Sequence, residues 1–183
     1  ADNALAMHHD DRLRLLERGV PFGGIWADLG CGDGAFTAAL AQLVAHEDGT
    51  IHAVDRDARA LNTVAQVIRS RWPRLRLETH FADLLRLDGL PALDGALLAL
   101  SLHEMSDHEA VLRRVRGWLR PGGRLVVVEY DDAAPNSLVP YPCAWKRFEP
   151  LARGAGFGRP ELLGWIQSRF HARAYGAACD VPR

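Results

Sequence analysis

The sequence predicts an α/β fold, in which a mostly parallel sheet has helices on both faces and one antiparallel strand near an edge. Short apolar segments alternate with amphipathic ones along most of the 183 residues, as strands alternate with helices in such folds. The chain closes with two strand-like segments, Glu161–Ile166 and Phe170–Ala178, linked by Gln167-Ser168-Arg169. A link this short requires an antiparallel hairpin, because a parallel return needs a crossover of about a dozen residues.

Each element follows from a local pattern of apolar, capping and turn residues. The first half predicts, in order, an amphipathic helix over 8–18, a strand from Ile25 into Asp28, a helix from Ala35, a strand over Thr50–Val54, a helix capped by Asp57 and stopped by Pro73, and a strand over Leu75–Phe81. The second half predicts a strand over Gly95–Leu100, a helix introduced by a capping box of Ser106 and Glu109, a turn at Pro121-Gly122-Gly123, a strand over Arg124–Tyr130, an irregular excursion over 131–142 and a helix over Cys143–Ala155.

Composition places the chain among ordinary soluble globular proteins. Hydrophobic residues make up 48% and charged residues 25%, and a formal net charge of −1 gives no reason to expect a nucleic-acid or membrane-surface partner. No apolar run approaches the roughly 20 residues that span a bilayer, and no signal peptide is evident, so we expect a cytoplasmic protein. We expect one domain over 1–183, divided into an N-terminal helical segment (1–24), an α/β core (25–130) and a C-terminal helix and hairpin (131–183).

The segment between the first strand and the next helix carries Asp28 followed by Gly30, Gly32 and Gly34. Glycine at every second position lets the backbone turn sharply and approach a ligand closely. The amides at the helix N-terminus then face that ligand. Asp28 would repel a pyrophosphate but would tolerate an ammonium or sulfonium group. The loop therefore predicts a nucleotide-like site for a ligand that is not simply an anion.

Two further acids follow the next two strands. In open α/β sheets, ligands bind beyond the carboxyl ends of the strands, where the strand order reverses. Asp55 ends the second strand, and an acid there can accept hydrogen bonds from both ribose hydroxyls. Asp83 follows the third strand, where it could accept from an adenine amino group. Three acids at successive strand ends beside one glycine loop predict a site for an adenosyl ligand.

Together these segments resemble the class I S-adenosyl-L-methionine-dependent methyltransferases. The matching segments are ADLGCGDG at 27–34, AVDRD at 53–57, FADL at 81–84, LSLHEMSD at 100–107 and LRPGGRLVVVEY at 119–130. The resemblance covers nearly the whole chain and implies a Rossmann-like, doubly wound sheet of seven strands. The tail strand pair fits the reversed seventh strand typical of that family.

The resemblance also implies a role for each matching position. Asp28, Gly30, Gly32 and neighbouring backbone, including that of Cys31, would hold the methionine part of S-adenosyl-L-methionine; Asp55 would take the ribose; Arg56 would flank the adenine; Asp83 and the Leu84 amide would read the adenine; and backbone at Leu100 and Ser101 would meet the methionine amino group. The expected product is S-adenosyl-L-homocysteine.

Several of these residues have structural alternatives. Asp28 could satisfy the amides of its own loop, Asp55 could be a turn residue, and Asp83 could cap a helix. The Cys31 thiol fits a small buried filler better than a nucleophile.

A nicotinamide-binding domain is the competing interpretation of the glycine loop. Gly30, Gly32 and Ala35 satisfy G-x-G-x-x-G/A, and Asp55 follows the first glycine at about the expected spacing. Asp28 beside a pyrophosphate argues against that interpretation, as does Asp83. No tyrosine–lysine pair for hydride chemistry is evident, since Lys146 is the only lysine.

The residues after the fourth and fifth strands are candidates for contact with the methyl acceptor. His103 is placed to act as a base or to touch substrate, and a structural histidine bonded to a neighbouring loop is its alternative. Glu129, Tyr130 and Asp131 are second-rank candidates. We expect no metal, because Asp131 and Asp132 lack a partner set and the cysteines have no zinc spacing.

We expect a small-molecule acceptor, enclosed by the segments Met7–Leu16 and Pro135–Trp145. The substrate-side candidates are Tyr130, Tyr141 and Trp145, with Phe148 beside them. The last three could equally be core residues of the tail helix. The methyl group would move by in-line displacement to an O, N or C nucleophile.

Two other functions stay open. One is a nucleic-acid methyltransferase, which an arginine surface around the pocket mouth would favour; Arg69, Arg71, Arg74 and Arg76 form the candidate cluster. The other is a non-catalytic domain that binds S-adenosyl-L-methionine. A monomer or a homodimer fits the sequence.

Overall fold

The computed structural model describes residues 7–21, 23–45, 48–132, 134–167 and 173–183. The strands formed by these residues are β1 (Ile25–Leu29), β2 (Thr50–Asp55), β3 (Arg76–Phe81), β4 (Leu93–Ala99), β5 (Leu119–Tyr130), β6 (Glu161–Ile166) and β7 (Ala174–Asp180). The α-helices are α1 (His9–Leu16), α2 (Ala35–Val44), α3 (Ala58–Arg71), α4 (His108–Trp118) and α5 (Trp145–Gly154).

These strands form one sheet in the order β3-β2-β1-β4-β5-β7-β6. The strands from β3 to β5 run parallel, and β7 is antiparallel to both β5 and β6. Six strands therefore share one direction, which confirms the predicted Rossmann-like, doubly wound fold with an antiparallel strand near an edge. The strand order reverses between β1 and β4, so the crevice for a ligand opens above the carboxyl ends of these two strands.

Two helical layers cover the sheet, because successive residues of a strand face opposite sides. Trp26 of β1 packs with α1, α2 and α3, whereas Ala27 and Leu29 pack with α4 and α5. Gly95 of β4 lies beneath the Trp26 ring, and a Cβ added at Gly95 would be 2.4 Å from that ring. Only glycine fits there, so this pair fixes how β1 and β4 sit side by side under the crevice.

The structure corrects two of the predicted elements. Asp107, not Ser106, caps α4, since its Oδ1 accepts a hydrogen bond from the Ala110 amide at 2.9 Å. The predicted turn at 121–123 lies inside β5 rather than before it. The pairing of β5 with β4 shifts from Leu93–Leu119 to Gly95–Arg124, so the extra residues form a bulge.

Other boundaries move by a few residues. Helix α1 is shorter than the predicted 8–18, α5 begins at Trp145 rather than Cys143, and the last strand runs over Ala174–Asp180 rather than from residue 170 to residue 178. The predicted three-residue link includes 168 and 169, which lie outside the described residues.

Candidate active site

The glycine loop is held in place by the end of β2. The amides of Gly30 and Cys31 donate to the Val54 carbonyl at 2.8 and 3.0 Å, and the Gly32 amide donates to Asp55 Oδ2 at 2.8 Å. Gly30 has φ +81°, and a Cβ there would lie 2.8 Å from Ser101 Cβ. A Cβ at Gly32 would meet nothing within 4 Å. Gly30 therefore serves packing, whereas Gly32 faces open space in which a ligand can approach the backbone.

Asp28 is buried directly beneath this loop, with 1% of its surface exposed. Its Oδ2 accepts a hydrogen bond from the Thr37 hydroxyl at 2.6 Å, and its Oδ1 has no hydrogen-bond partner among the described residues. Burial raises the pKa of Asp28 to about 7; the Thr37 bond opposes this shift and the charge of Asp55 adds to it. The alternative that Asp28 satisfies its loop amides is wrong, because those amides bond elsewhere.

An orphaned carboxylate oxygen in a buried position is costly unless a ligand supplies its partner. A cationic group would remove the cost most effectively, because it would also favour the ionised carboxylate. The open space at Gly32 lies in the same loop. Asp28 and the loop therefore fit the cationic methionine part of S-adenosyl-L-methionine.

Asp55 fixes two stretches of backbone at once. Its Oδ2 accepts from Gly32, and its Oδ1 accepts from the Asp57 amide at 2.8 Å. Each carboxylate oxygen can accept more than one hydrogen bond, so these bonds orient the group toward the crevice without exhausting it. Next to it, Arg56 pairs with Glu104 at 3.1 Å, which links the end of β2 to the segment after β4.

Asp83 lies at the end of β3, on the far side of Asp55. Its Oδ1 accepts from the Leu85 amide at 2.8 Å and caps a short 3₁₀ turn over Leu84–Arg86. The helix-cap alternative is thus part of its role in the structure. The Asp83 side chain is exposed at this edge, so the cap leaves its other oxygen accessible.

The chain bends sharply as it leaves β4. Leu100 has φ +52°, a conformation that costs free energy for a side chain of this size, and its amide donates to the Val128 carbonyl at 2.8 Å. The Ser101 hydroxyl donates to the Leu29 carbonyl at 3.0 Å, which joins the end of β1 to the end of β4. This bend brings the backbone at Leu100 and Ser101 beside the glycine loop, where Ser101 packs against Gly30.

His103 and Glu129 form a buried pair at the ends of β4 and β5. His103 Nδ1 lies 2.7 Å from Glu129 Oε1, and the His103 amide donates to Glu129 Oε2 at 2.8 Å. Burial lowers the pKa of His103, but the hydrogen bond and charge of Glu129, with the charges of Glu104 and Asp132, outweigh it and raise the pKa above its ordinary value. Since a carboxylate can only accept, Nδ1 carries a proton, and the basic lone pair of the neutral ring lies on Nε2.

Tyr130 adjoins this pair, with its ring centre 5.7 Å from that of His103. It packs in a small apolar cluster at the carboxyl ends of β4 and β5, to which Met7, Leu100, Val139 and Ala174 also belong. Met7 and Val139 thus bring one residue from each of the segments 7–16 and 135–145 to the carboxyl ends of β4 and β5.

Tyr141 and Trp145, the other aromatic candidates, have different surroundings from Tyr130. Tyr141 is exposed, and its amide donates to the His103 carbonyl at 3.0 Å, so its backbone supports the histidine. Trp145 packs against Tyr175 and Phe148, with ring centres 5.8 and 6.3 Å apart, in the layer of α4 and α5. Phe148 is completely buried there. For Trp145 and Phe148 the geometry favours the core alternative over a substrate wall.

Comparison with known proteins gives the same result as the geometry. A family model for a methyltransferase domain matches residues 27–125, which is more than half of the chain. The chain belongs to this methyltransferase family. The resemblance to the S-adenosyl-L-methionine-dependent enzymes is thereby confirmed, and the nicotinamide-binding alternative has no support.

The similar proteins have varied descriptions. An uncharacterized methyltransferase of Mycobacterium tuberculosis is 32% identical over 127 residues, which cover 68% of this chain and 58% of that protein. A carboxy-S-adenosyl-L-methionine synthase of Chromohalobacter salexigens is 30% identical over 156 residues, 81% of this chain and 54% of that protein. The methyltransferase chain thus spans little more than half the length of these curated relatives.

A solved structure shows that the fold is shared as well. The 1,6-didemethyltoxoflavin-N1-methyltransferase of Burkholderia thailandensis, with bound 1,6-didemethyltoxoflavin and S-adenosylhomocysteine, superposes with a TM-score of 0.74 at 20% identity. The match covers 96% of this chain and 78% of that one. Within the described residues of the methyltransferase, no helix is long and apolar enough to cross a bilayer.

Two partnerships in the site were not found from the sequence. The Thr37 hydroxyl, in the first turn of α2, donates a hydrogen bond to Asp28, and no local sequence pattern predicts that contact. Glu129 was named only as a second-rank candidate, although a single charge at the end of the apolar run LVVVEY is a usable signal. A charge in a central strand must be paired, and His103 at the neighbouring strand end was the available partner.

Proposed function

We propose that this chain transfers the methyl group of S-adenosyl-L-methionine to a small-molecule acceptor. The observation that carries the proposal is the buried Asp28 carboxylate, whose Oδ1 lacks a partner beneath the glycine loop, with Asp55 and Asp83 at the next two strand ends. This row of acids matches the parts of a cationic adenosyl ligand in order.

In this proposal, different residues of the chain bind different parts of the cofactor. Asp28 holds the cationic methionine end, Asp55 accepts from the ribose hydroxyls, and Asp83 with the Leu84 amide reads the adenine. The cofactor supplies a methyl group that is already activated by its sulfonium, so the protein contributes mainly orientation and exclusion of water. Cys31 contributes its backbone only, since burial raises the pKa of its thiol and keeps it protonated.

His103 is the proposed base for an acceptor that must lose a proton. Glu129 holds the ring through Nδ1 and stabilises the positive charge that the ring gains when Nε2 takes the proton. The same carboxylate bonds the His103 amide, so ring and backbone are positioned by one group. An acceptor hydroxyl would pass its proton to Nε2 while its oxygen bonds the methyl carbon and the carbon–sulfur bond of the donor breaks. An acceptor ammonium would lose its proton to Nε2 first, because only the neutral amine has a lone pair for the attack.

The apolar residues that pack near His103 favour a small acceptor. Met7 and Val139, from segments far apart in sequence, pack with Tyr130 and Leu100 and cover the ends of β4 and β5. The arginine cluster gives no support to a nucleic-acid acceptor, because Arg69 and Arg71 end α3 and Arg76 begins β3, so the cluster does not lie at the carboxyl ends of β4 and β5 beside His103. The toxoflavin-type ligand of the solved neighbour is also a small molecule.

The proposal is tested by binding first and turnover second. Calorimetry should show S-adenosyl-L-methionine and S-adenosyl-L-homocysteine binding in preference to NAD; tighter binding of NAD would overturn the cofactor assignment. A labelled methyl donor incubated with a metabolite extract should then label a small molecule. Binding without transfer to any metabolite would support the non-catalytic alternative, and transfer to nucleic acid alone would replace the acceptor class.

A further inference from the structure

A second set of chemically reactive side chains lies on the outer strands of the sheet. His52 of β2 is paired with Glu78 of β3, and Val54 is paired with His80. Residues two apart on a strand share a face, so His52, Glu78 and His80 all project from one side of β2 and β3. Strand β3 is the edge of the sheet, which leaves this group open to solvent on one flank.

The three side chains converge on one point. His52 Nδ1 is 2.9 Å from His80 Nε2 and 3.6 Å from Glu78 Oε2, and the three ligand atoms lie within 4.8 Å of one another. His52 is buried, with 4% of its surface exposed. The Glu78 side chain is 53% exposed and can adjust its position.

We propose that His52, Glu78 and His80 form a binding site for a zinc ion. Two imidazoles and one carboxylate are a ligand set that zinc uses, with water at the fourth position. Ligand atoms about 2.0–2.1 Å from a tetrahedral zinc ion lie about 3.3 Å apart. The two ring nitrogens need to separate by only about 0.4 Å to reach that spacing, and Glu78 is already close to it from His52.

The ligand chemistry also decides between classes of metal. Magnesium and calcium prefer oxygen ligands, and magnesium keeps several of its waters, so a site with two imidazoles discriminates against both. The sequence led us to expect no metal, because Asp131, Asp132 and the cysteines were the groups considered. Only the pairing of β2 with β3 brings these three ligands together.

The site would act on the stability of the sheet edge. Strand β3 has one neighbour, and a metal shared by β2 and β3 would cross-link the two strands. Asp55 ends β2 and Asp83 follows β3, so the metal would stabilise the pair of strands that positions both acids. The proposal does not depend on methyl transfer, and its test uses none.

The test is zinc titration of the full chain, without a histidine tag and after treatment with a chelator. We expect one equivalent to bind with a Kd of roughly micromolar or tighter, in competition with a chromophoric chelator. Cobalt should bind at the same site and give the visible absorption of a four-coordinate ion, and millimolar magnesium should not compete. Zinc should also raise the Tm.

The variants His80→Gln and Glu78→Gln should each weaken zinc binding at least about tenfold. The matched control is the double variant His8→Gln/His9→Gln, which removes two surface histidines and should leave the affinity unchanged. Circular dichroism of His80→Gln and of the exposed Glu78→Gln checks the fold. Three outcomes would overturn the proposal: no equivalent of zinc binds, His80→Gln and Glu78→Gln bind zinc as tightly as the wild type, or the control variant loses binding. His52 and His80 would then form a simple hydrogen bond and no metal site.

Discussion

The two halves of the site are built in different ways. In the donor half, which comprises the glycine loop 28–34, Asp55 and Asp83, each acid lies in a short motif at a strand end. Asp55 and Asp83 each bond an amide two residues further along, and the loop amides bond Val54 and Asp55 at the end of β2. In the acceptor half, which comprises His103, Glu129, Tyr130 and segment 134–145, the bonds join distant segments. The residues of the donor half are therefore recognisable in short motifs that the pairing of β1 with β2 brings together, whereas the acceptor half depends on contacts between distant segments.

The largest expected effect is a loss of turnover in a His103 variant that still binds the methyl donor, which distinguishes the acceptor half from the donor half. In His103→Gln, kcat should fall by roughly 10²–10⁴-fold, because the proposed base is lost, whereas the Kd for S-adenosyl-L-methionine should stay within about twofold. The measurements are steady-state kinetics with the acceptor found by labelling, and calorimetry. Glu129→Gln is the companion variant: it should lower the pKa seen in the pH–rate profile, because the charge that raises the His103 pKa is gone. A normal rate in His103→Gln would leave that residue a structural role.

Asp28→Asn tests the donor half. The variant should bind S-adenosyl-L-methionine about 10–100-fold more weakly, because the charge that meets the cation is lost. Asp33→Asn is the matched control in the same loop, since Asp33 Oδ1 accepts from the Ala35 amide, a bond that an asparagine oxygen can also accept, and the Kd should stay unchanged. A larger effect from Asp33→Asn than from Asp28→Asn would place the cationic end of the cofactor elsewhere.

The same variant should be more stable than the wild type. Folded Asp28 keeps its proton up to about pH 7, whereas the unfolded residue releases it near 3.8, so ionisation opposes folding as pH rises between these values. Asp28→Asn should therefore raise the free energy of unfolding at pH 8 by up to about 4 kcal/mol, with little difference at pH 4. Urea denaturation at the two pH values measures this, and a less stable variant at pH 8 would contradict the interpretation.

Asp55→Ala should weaken cofactor binding at least about tenfold, through loss of the ribose contact and release of the Gly32 amide. Asp57→Ala provides the comparison, because Asp57 caps α3 through the Arg59 amide. It should cost about 1 kcal/mol of stability and leave the Kd unchanged. Equal Kd values for Asp55→Ala and the wild type would remove Asp55 from the ribose.

The smallest expected effect is a pH dependence of the cofactor affinity. As Asp28 ionises around its pKa of about 7, the affinity should rise about five- to tenfold from pH 6 to pH 8. S-adenosyl-L-homocysteine should show the same rise if the amino group is the contact. The dependence should disappear in Asp28→Asn, and its persistence there would assign it to another group.

The difference between the halves also explains what the sequence could predict. The alternation of strands and helices, the glycine loop and the acids at the strand ends follow from periodicity and local spacing, and the structure has the loop and the acids at the ends of β1, β2 and β3. The cap of α4 was missed because Ser106 and Asp107 are both good caps, and only backbone geometry selects Asp107. The bulge around 121–123 depends on the partner strand β4.

The acceptor half was less predictable for a physical reason. Trp145 and Phe148 have the spacing of an apolar helix face, and nothing in that spacing tells whether the face meets a ligand or the sheet. Contact with Tyr175, from the last strand, decides it. The His103–Glu129 pair likewise depends on β4 and β5 lying side by side.

The position of β7 has a consequence for how the protein is made. Strand β7 follows β6 in the chain, yet it lies between β5 and β6 in the sheet. During synthesis, the edge of β5 over the apolar residues Leu125–Val128 stays unpaired until residues 174–180 leave the ribosome. Strand β6 also has no pairing partner until then. An uncovered apolar strand edge is prone to pair with other chains. The nascent chain is therefore prone to aggregation until β7 pairs with β5 and β6.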